Sequence, residues 1–158
     1  MKFANDFDEI LSAFAKHEVD FMVVGGYAVN FYGYDRTTSD LDLWINPIEE
    51  NKQKITAALI ELNYLTDGET SVHSLDFSVP SCFRLGEDKN HIDIFTHMVS
   101  VKYANAEKEK IPFQTQDDKV IYFISLRDLI ANKQQTGRLK DMADVDVLLK
   151  IHRFDKKQ

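Results

Sequence analysis

The sequence GGYAVNFYGYDRTTSDLDL, residues 25–43, decides the fold of this chain. An apolar run, Val19–Val24, leads into its two glycines, and an acidic pair, Asp40 and Asp42, stands near its end. β-Branched and aromatic residues that stop at Gly-Gly predict a buried strand followed by a tight turn. The alternation of acidic and apolar residues predicts a second strand over residues 40–46. These two strands are the frame on which the rest of the chain is placed.

The other elements follow from hydrophobic spacing and from turn and capping residues. Apolar residues at helical intervals predict amphipathic helices, and Ser125 and Gly137 are suited to the N-cap and C-cap of one of them. Residues 64–81 have little periodicity and are assigned to a strand and a loop. The predicted helices cover residues 5–17, 27–32, 49–62, 126–135 and 139–152; the predicted strands add a hairpin of 82–85 and 91–95, around a turn at 86–90, and a strand at 120–124.

Length and composition narrow the class of protein. A chain of 158 residues predicts a single domain over residues 1–158. No stretch approaches the ~20 apolar residues of a membrane-spanning helix, and the N-terminus lacks an apolar signal core, so we expect a cytoplasmic protein. The lone cysteine, Cys82, excludes an intramolecular disulfide and is expected to be a small buried residue in a strand. The net charge of −7 argues against binding to extended duplex nucleic acid, but not against a nucleotide or a short RNA end.

Asp40 and Asp42 are the strongest candidates for chemistry. Side chains two apart on a strand leave the same face roughly 6.5 Å apart, so the two carboxylates converge on one point. Such crowding favours a bound cation, and hard oxygen ligands favour Mg²⁺ or Mn²⁺. An acidic pair on an exposed edge strand is the alternative. Two other Asp-x-Asp pairs lie in predicted helices, where residues two apart diverge.

Gly25 and Gly26 give the acidic pair a context. Glycine lets the backbone approach a phosphate closely, and a helix that begins near Tyr27 offers amide groups and a positive dipole end. Alone, Gly-Gly is more often only a turn. Between a buried strand and a helix, and followed by the acidic strand, it predicts a triphosphate cradle beside a metal site.

Asp93 is the candidate third carboxylate. Alternation along the predicted strand turns its side chain away from the face that holds Ile92 and Ile94, and a neighbouring strand could present it beside the first two carboxylates. The alternative is a charge at a strand edge. His91 falls on the same face as Asp93, but a hydrogen-bonded structural histidine is favoured over a site residue.

Basic residues before and after the acidic strand leave alternatives open. Arg36 either pairs with the carboxylates or reaches a phosphate as a bidentate donor. Arg138 and Lys140 either support the site or form a solvated basic face together with Lys133 and neighbouring aspartates.

The sequence from Gly25 to Leu43 resembles the first motif of minimal, polymerase beta-like nucleotidyltransferase-fold proteins, particularly AbiEii-type and stand-alone bacterial nucleotidyltransferases. The pattern Lys133-x-x-x-x-Arg138-x-Lys140-Asp141-x-x-Asp144 resembles their C-terminal helical motif, in which a lysine approaches the nucleotide phosphates and an aspartate orders the site. The resemblance implies an α+β fold, a small mixed sheet flanked by helices with further C-terminal helices. It also implies a bound nucleoside triphosphate and two divalent metal ions. The implied nucleotide-binding residues are Gly25, Gly26, Arg36, Thr38, Ser39 and Lys133, with Arg138, Lys140 and Asp141 in support.

The leading hypothesis is an Mg²⁺-dependent transfer of NMP from an NTP to a hydroxyl or phosphate acceptor, with Asp40, Asp42 and Asp93 as metal-binding and catalytic residues. The acceptor is a small molecule, a protein or an RNA end. Because larger members of the superfamily use an additional helical domain for acceptor binding, a partner protein or a homodimer interface is expected to contribute here. The alternative is a non-catalytic nucleotide-sensing or partner-binding module of the same fold, such as a toxin–antitoxin component.

Overall fold

A six-stranded mixed sheet organises the chain. The computed structural model describes residues 1, 3–64, 72, 74–86 and 89–155. In the sheet the strands lie in the order β3-β4-β2-β1-β6-β5. β1 is antiparallel to β2 and parallel to β6, while β2 is parallel to β4. The strands are β1 (Phe21–Val24), β2 (Leu41–Ile45), β3 (Cys82–Leu85), β4 (Ile92–Phe95), β5 (Ile111–Gln114) and β6 (Val120–Phe123).

In the part of the chain that the structure describes, six α-helices and one short 3-10 helix, Glu107–Glu109, accompany the sheet. In the first helix, acidic residues in the first turn and Lys16 in the last complement the helix dipole, and the apolar side is buried. Ser125 accepts a hydrogen bond from the backbone N–H of Asp128, and Gly137 ends that helix at φ 67°, as predicted. The helices are α1 (Asn5–Lys16), α2 (Gly25–Phe31), α3 (Glu49–Glu61), α4 (Tyr103–Ala106), α5 (Leu126–Thr136) and α6 (Leu139–Asp155).

The central strand β2 separates the core from the candidate site. Leu41, Leu43 and Ile45 are fully buried and alternate with Asp42, so the acidic side chain leaves the opposite face of the sheet. The buried core extends through α1 and α3, which pack against one another, and through β1 and β6. The α+β class and mixed sheet implied by the sequence are confirmed.

Some sequence expectations need correction. The second helix begins at Gly25 rather than near Tyr27, so the glycines form its first turn. β5 and α4 were not predicted: β5 is an edge strand that contains Pro112 and is mostly exposed, so it lacks a strand-like apolar pattern. Cys82 is exposed rather than buried, because β3 is the other edge strand of the sheet.

The weakly periodic stretch 64–81 is described in part. Val72 and Phe77 are buried in the core, and the Lys52 ammonium lies 4.9 Å from the centre of the Phe77 ring. Among the described residues of the stretch, which are 64, 72 and 74–81, there are turns and bends but no strand. Residues 65–71 and 73, and residues 87–88 of the predicted hairpin turn, lie outside the described residues. In the described part of the chain, no helix has the length and apolar character needed to cross a membrane.

Candidate active site

Asp42 and Asp93 lie side by side on neighbouring parallel strands. They are direct partners in the β2–β4 register, and their side chains leave the face of the sheet opposite to Leu41, Leu43, Ile92 and Ile94. Arg84 on β3 is the partner of Asp93 and extends the row to the edge. Its Nε donates to Asp93 Oδ1 at 2.8 Å, and its Nη2 donates to Oδ2 at 3.2 Å. The sheet therefore presents a row of two carboxylates and one guanidinium.

Asp40 joins this group from the residue immediately before β2. His91 connects it to Asp93, with Nδ1 3.3 Å from an Asp40 oxygen and Nε2 3.3 Å from an Asp93 oxygen. His91 is not among the residues predicted as site residues, although its spacing of two residues from Asp93 places it on the correct face. Arg84 was not predicted either, although matching Phe83 and Leu85 with the apolar residues of the facing strand places it opposite Asp93.

Electrostatic crowding is greatest at Asp42. Burial raises its pKa to about 6, with further contributions from the charges of Asp93 and Asp40; Lys133 and His91 oppose the shift. A carboxylate in this position is stabilised when a cation approaches. Since the three aspartates offer hard oxygen ligands, the chemistry of the donor set fits Mg²⁺ or Mn²⁺.

The three carboxylates do not form a complete coordination shell for a metal ion. No group of three or more His, Cys, Asp or Glu side chains among the described residues has the arrangement to hold a metal ion. Both oxygens of Asp93 receive hydrogen bonds from Arg84 instead. For Asp93 to act with Asp40 and Asp42 on one ion, we expect its carboxylate to turn away from Arg84.

The two glycines have a steric explanation in the site itself. Gly25 has φ +64°, and a Cβ built on it would lie 2.8 Å from the carboxyl carbon of Asp42. A Cβ on Gly26 would lie 2.9 Å from the Cβ of Thr38. Real Cβ atoms do not approach other atoms so closely, so any larger residue would displace Asp42 or Thr38. Glycine here brings the end of β1 directly against the acidic strand.

A cleft of about 320 Å³ opens over these groups. The loop before β2 supplies one wall, the carboxylates supply the floor, and the start of α6 contributes basic side chains. Of the twelve residues predicted from sequence as site residues, eight line this cleft, and Gly25, Arg36, Lys133 and Asp141 do not. Those that line the cleft are Gly26, Thr38, Ser39, Asp40, Asp42, Asp93, Arg138 and Lys140.

Comparison with known proteins identifies the fold in which this site lies. No family model matches the chain, and no curated protein matches it either. Among solved structures, it is similar to the lincosamide antibiotic adenylyltransferase LnuA with lincomycin bound, at a TM-score of 0.60 and 17% identity. That match covers 94% of this chain and 98% of the other. The chain has the nucleotidyltransferase fold. A second match, to a protein from Thermotoga maritima assigned as a nucleotidyltransferase, has a TM-score of 0.57 and 16% identity and covers 94% of this chain and 96% of the other.

In this nucleotidyltransferase-fold chain, Arg36 does not pair with Asp40 or Asp42. Its Nε and Nη2 donate to the two oxygens of Asp144 on α6, at 2.7 and 2.8 Å. The sequence hypothesis that Arg36 holds the acidic pair directly is therefore wrong. Arg36 instead fixes the loop before β2 to the last helix, with a geometry that is bidentate and almost fully buried.

Lys133 continues this network of ion pairs. Its ammonium lies 2.9 Å from Asp144 and 3.2 Å from Asp141, and the side chains of all three residues are at least nine-tenths buried. Arg138 closes the chain of contacts by donating from Nε to Asp141 at 2.7 Å. We call the five residues the buried ion-pair network after its four buried members, Arg36, Asp144, Lys133 and Asp141; the fifth, Arg138, is 75% exposed.

The network lowers the pKa of its two carboxyl groups. Burial alone would raise the pKa of Asp141, but hydrogen bonds from Arg138 and Thr136 and the charge of Lys133 lower it to about 2. Burial alone would also raise the pKa of Asp144, but hydrogen bonds from Arg36 and Lys133 lower it below its ordinary value. Both groups are therefore charged at neutral pH, and the network balances them with three cations.

Proposed function

We propose that this protein is an Mg²⁺- or Mn²⁺-dependent nucleotidyltransferase that transfers NMP from an NTP to a hydroxyl or phosphate acceptor and releases pyrophosphate. The observation that carries the proposal is the cleft in which Asp40, Asp42 and Asp93 lie beside the glycine pair. The nucleotidyltransferase fold supports it, because the chain shares that fold with the adenylyltransferase LnuA over 94% of its length.

The carboxylates have distinct roles in this proposal. Asp40 and Asp42 would hold both metal ions, and Asp93 would hold one of them and accept the proton of the acceptor hydroxyl. When bound, the ions supply neutralisation of the phosphate charge and polarise the α-phosphate. Gly25 and Gly26 let the backbone at the start of α2 lie directly against Asp42 and Thr38, so a phosphate bound at the carboxylates would lie close to that backbone.

The loop before β2 would also contact the nucleotide phosphates. The hydroxyls of Thr38 and Ser39 line the cleft and can donate to phosphate oxygens. Lys140 and Arg138 lie on the other side and add positive charge. Arg36 and Lys133 act indirectly, because their charged groups are bound to Asp144. They position the loop before β2 and helix α5.

The reaction balances without another reactant. The acceptor oxygen forms a bond to the α-phosphorus while its proton passes to Asp93, and the bond from the α-phosphorus to the bridging oxygen breaks. Pyrophosphate leaves with that electron pair, and the products are the acceptor joined to NMP and free pyrophosphate. The lincosamide named for LnuA makes a hydroxyl-bearing small molecule one acceptor class to test, beside a protein or an RNA end.

The contact between Arg84 and Asp93 favours a second candidate function. A guanidinium that holds both oxygens of the proposed base suits a module that binds nucleotide without transferring it, such as a toxin–antitoxin component. In that case the protein binds NTP and Mg²⁺, but label from the α-phosphate is not transferred to any acceptor.

The test is a thermal-shift titration with each NTP, with and without Mg²⁺, on wild type, Asp42→Asn and Asp146→Asn. Asp146 is 65% exposed on α6 and is the matched control for the same chemical change. NTP at about 100 times its dissociation constant should raise the unfolding midpoint by roughly 5 to 11 °C in wild type and in the control, and not in Asp42→Asn. The shifts are compared rather than the midpoints, because removing one crowded carboxylate is expected to stabilise the free protein.

Transfer is then measured with α-labelled NTP and acceptor mixtures. Label that becomes bound to an acceptor in wild type, and not in Asp42→Asn, supports the enzyme; binding without transfer supports the second candidate. Absence of a metal-dependent shift with every NTP refutes both.

A further inference from the structure

Arg84 stands at the edge of the sheet, at the end of the row of charged side chains that begins with Asp42. The register places Arg84 beside Asp93 and Asp93 beside Asp42, so Arg84 lies two strands from Asp42, or roughly 10 Å. Asp42 and Asp93 line the cleft, and Arg84 lies beyond them. The proposed phosphate site, with the hydroxyls of Thr38 and Ser39, is thus separated from Arg84 by Asp93.

The surface around Arg84 is accessible to a ligand. β3 is the outermost strand of the sheet, and the Arg84 side chain is 58% exposed. Cys82, two residues earlier on the same face of β3, is also exposed. The partner of Cys82 in the register is Phe95, which is half-buried and lines the cleft. A molecule that touches Asp93 can therefore lie over Cys82 and Phe95 with one end at Arg84.

The proposed chemistry brings the acceptor to this edge. Asp93 takes the proton of the acceptor oxygen, so that oxygen must come within about 3 Å of the Asp93 carboxylate. Both Asp93 oxygens are bound by Arg84, and the carboxylate has to leave this contact before it can act. The paired N–H donors of Arg84 then face the acceptor, and their spacing matches the oxygens of a carboxylate or a phosphate.

We infer that the acceptor carries a phosphate or carboxylate group near the hydroxyl that it presents, and that Arg84 binds this anion. The inference rests on the proposed function, which places the acceptor at Asp93. Exchange of Asp93 for another bidentate anion preserves the hydrogen bonds of the guanidinium. Because the site already holds three carboxylates and the triphosphate, a cation at this edge also offsets the repulsion that an anionic acceptor would meet.

The test compares glycerol, glycerate and glycerol 3-phosphate, which share a vicinal diol and differ in the charged group beside it. Dissociation constants are measured by isothermal titration calorimetry on protein saturated with Mg²⁺ and the α,β-methylene analogue of the NTP that binds, from which NMP cannot be transferred. The proteins are wild type, Arg84→Gln, Arg84→Lys and the control Arg127→Gln. Arg127 is 77% exposed on α5 and lies 3.6 Å from the Asp128 carboxylate.

Wild type and the control should bind at least one of the two anions roughly 5- to 50-fold more tightly than glycerol. Arg84→Gln should lower this ratio to about twofold or less without changing the constant for glycerol, and Arg84→Lys should restore part of it. If Arg84 acted only by holding Asp93, Arg84→Gln would change all three constants alike. Tighter binding of glycerol 3-phosphate than of glycerate assigns the site to phosphate, and the reverse assigns it to carboxylate.

Two results overturn the anionic acceptor while the proposed function stands. In the first, the wild-type protein binds the NTP analogue but binds neither anion more tightly than glycerol. In the second, the preference for an anion persists in Arg84→Gln, because another group must then bind it. Failure of the NTP analogue to bind in the presence of Mg²⁺ refutes the inference and the proposed function together.

Discussion

Replacing Asp144 by asparagine should strongly destabilise the protein, although Asp144 lies outside the row of carboxylates. The Asp144 side chain is 2% exposed and receives hydrogen bonds from Arg36 and Lys133, whose side chains are 14% and 8% exposed. Asparagine removes the negative charge, which leaves Lys133 with Asp141 as its remaining carboxylate and leaves the Arg36 guanidinium without its carboxylate partner. Removal of one member of a buried ion pair typically costs about 3 to 5 kcal/mol.

The lower figure of about 3 kcal/mol is appropriate, because the asparagine oxygen can still accept one of the hydrogen bonds. For a chain of this length each kcal/mol lowers the unfolding midpoint by about 2 to 4 °C, so the expected decrease is roughly 6 to 12 °C. Thermal and urea unfolding followed by circular dichroism measure it directly.

Asp146→Asn on the same helix is the control. Asp146 pairs with Lys150 four residues later at 2.8 Å, but both side chains are more than 60% exposed. Exposed pairs of this kind contribute about 0.3 to 0.5 kcal/mol, so the midpoint should fall by about 1 °C. Equal effects of the two substitutions would refute the reasoning, since they would show that burial of the network adds nothing to its energy.

Three further predictions concern the groups around the cleft. Gly25→Ala should lower stability by more than 1 kcal/mol and abolish the NTP-dependent thermal shift, because the residue has φ +64° and the new methyl group overlaps the Asp42 carboxylate; an unchanged shift would contradict the proposed cradle. The pKa of Asp141 is lowered to about 2, so the ionised carboxylate contributes roughly 2 kcal/mol to the free energy of unfolding above pH 4, and this contribution is lost as the pH falls toward 2. The free energies of urea unfolding of wild type and Asp141→Asn should therefore differ by less at pH 2.5 than at pH 6. Asn132→Leu should unfold at the same temperature as wild type or higher without nucleotide, because it removes an unpaired buried acceptor, and a lower midpoint would show that the amide has a structural partner.

The sequence predicted the acidic strand and its partner because both depend on local alternation. Asp42 and Asp93 each stand between buried apolar residues, and this pattern places them on the polar faces of their strands before any pairing is known. The parallel pairing of β2 with β4 then makes them neighbours. Local pattern does not show which residues of distant elements contact one another.

Arg84 and Arg36 show this limit in two ways. A symmetrical hairpin around residues 86–90 would pair Leu85 with His91, whereas the observed register pairs Leu85 with Ile92. The difference of one residue moves Arg84 from Ile92 to Asp93, and the length of the turn does not reveal it; only matching Phe83 and Leu85 with Ile94 and Ile92 indicates the observed register. Arg36 meets Asp144 across 108 positions, and periodicity does not indicate which helix carboxylate a loop cation will reach.

The buried ion-pair network explains how a short chain can hold a cleft whose two walls come from distant parts of the sequence. The acidic floor is built into the sheet, where β-pairing fixes Asp42 and Asp93. The wall from α5 and α6 has no strand to align it, and a packed helix pair alone could rotate relative to the sheet. The bidentate contact between Arg36 and Asp144 ties α6 to the loop that carries Thr38 and Ser39, and Lys133 ties α5 to the same carboxylate. In the proposed function, Arg36 and Lys133 therefore position the nucleotide site rather than touch the phosphates, which leaves Lys140 and the loop hydroxyls for direct contact.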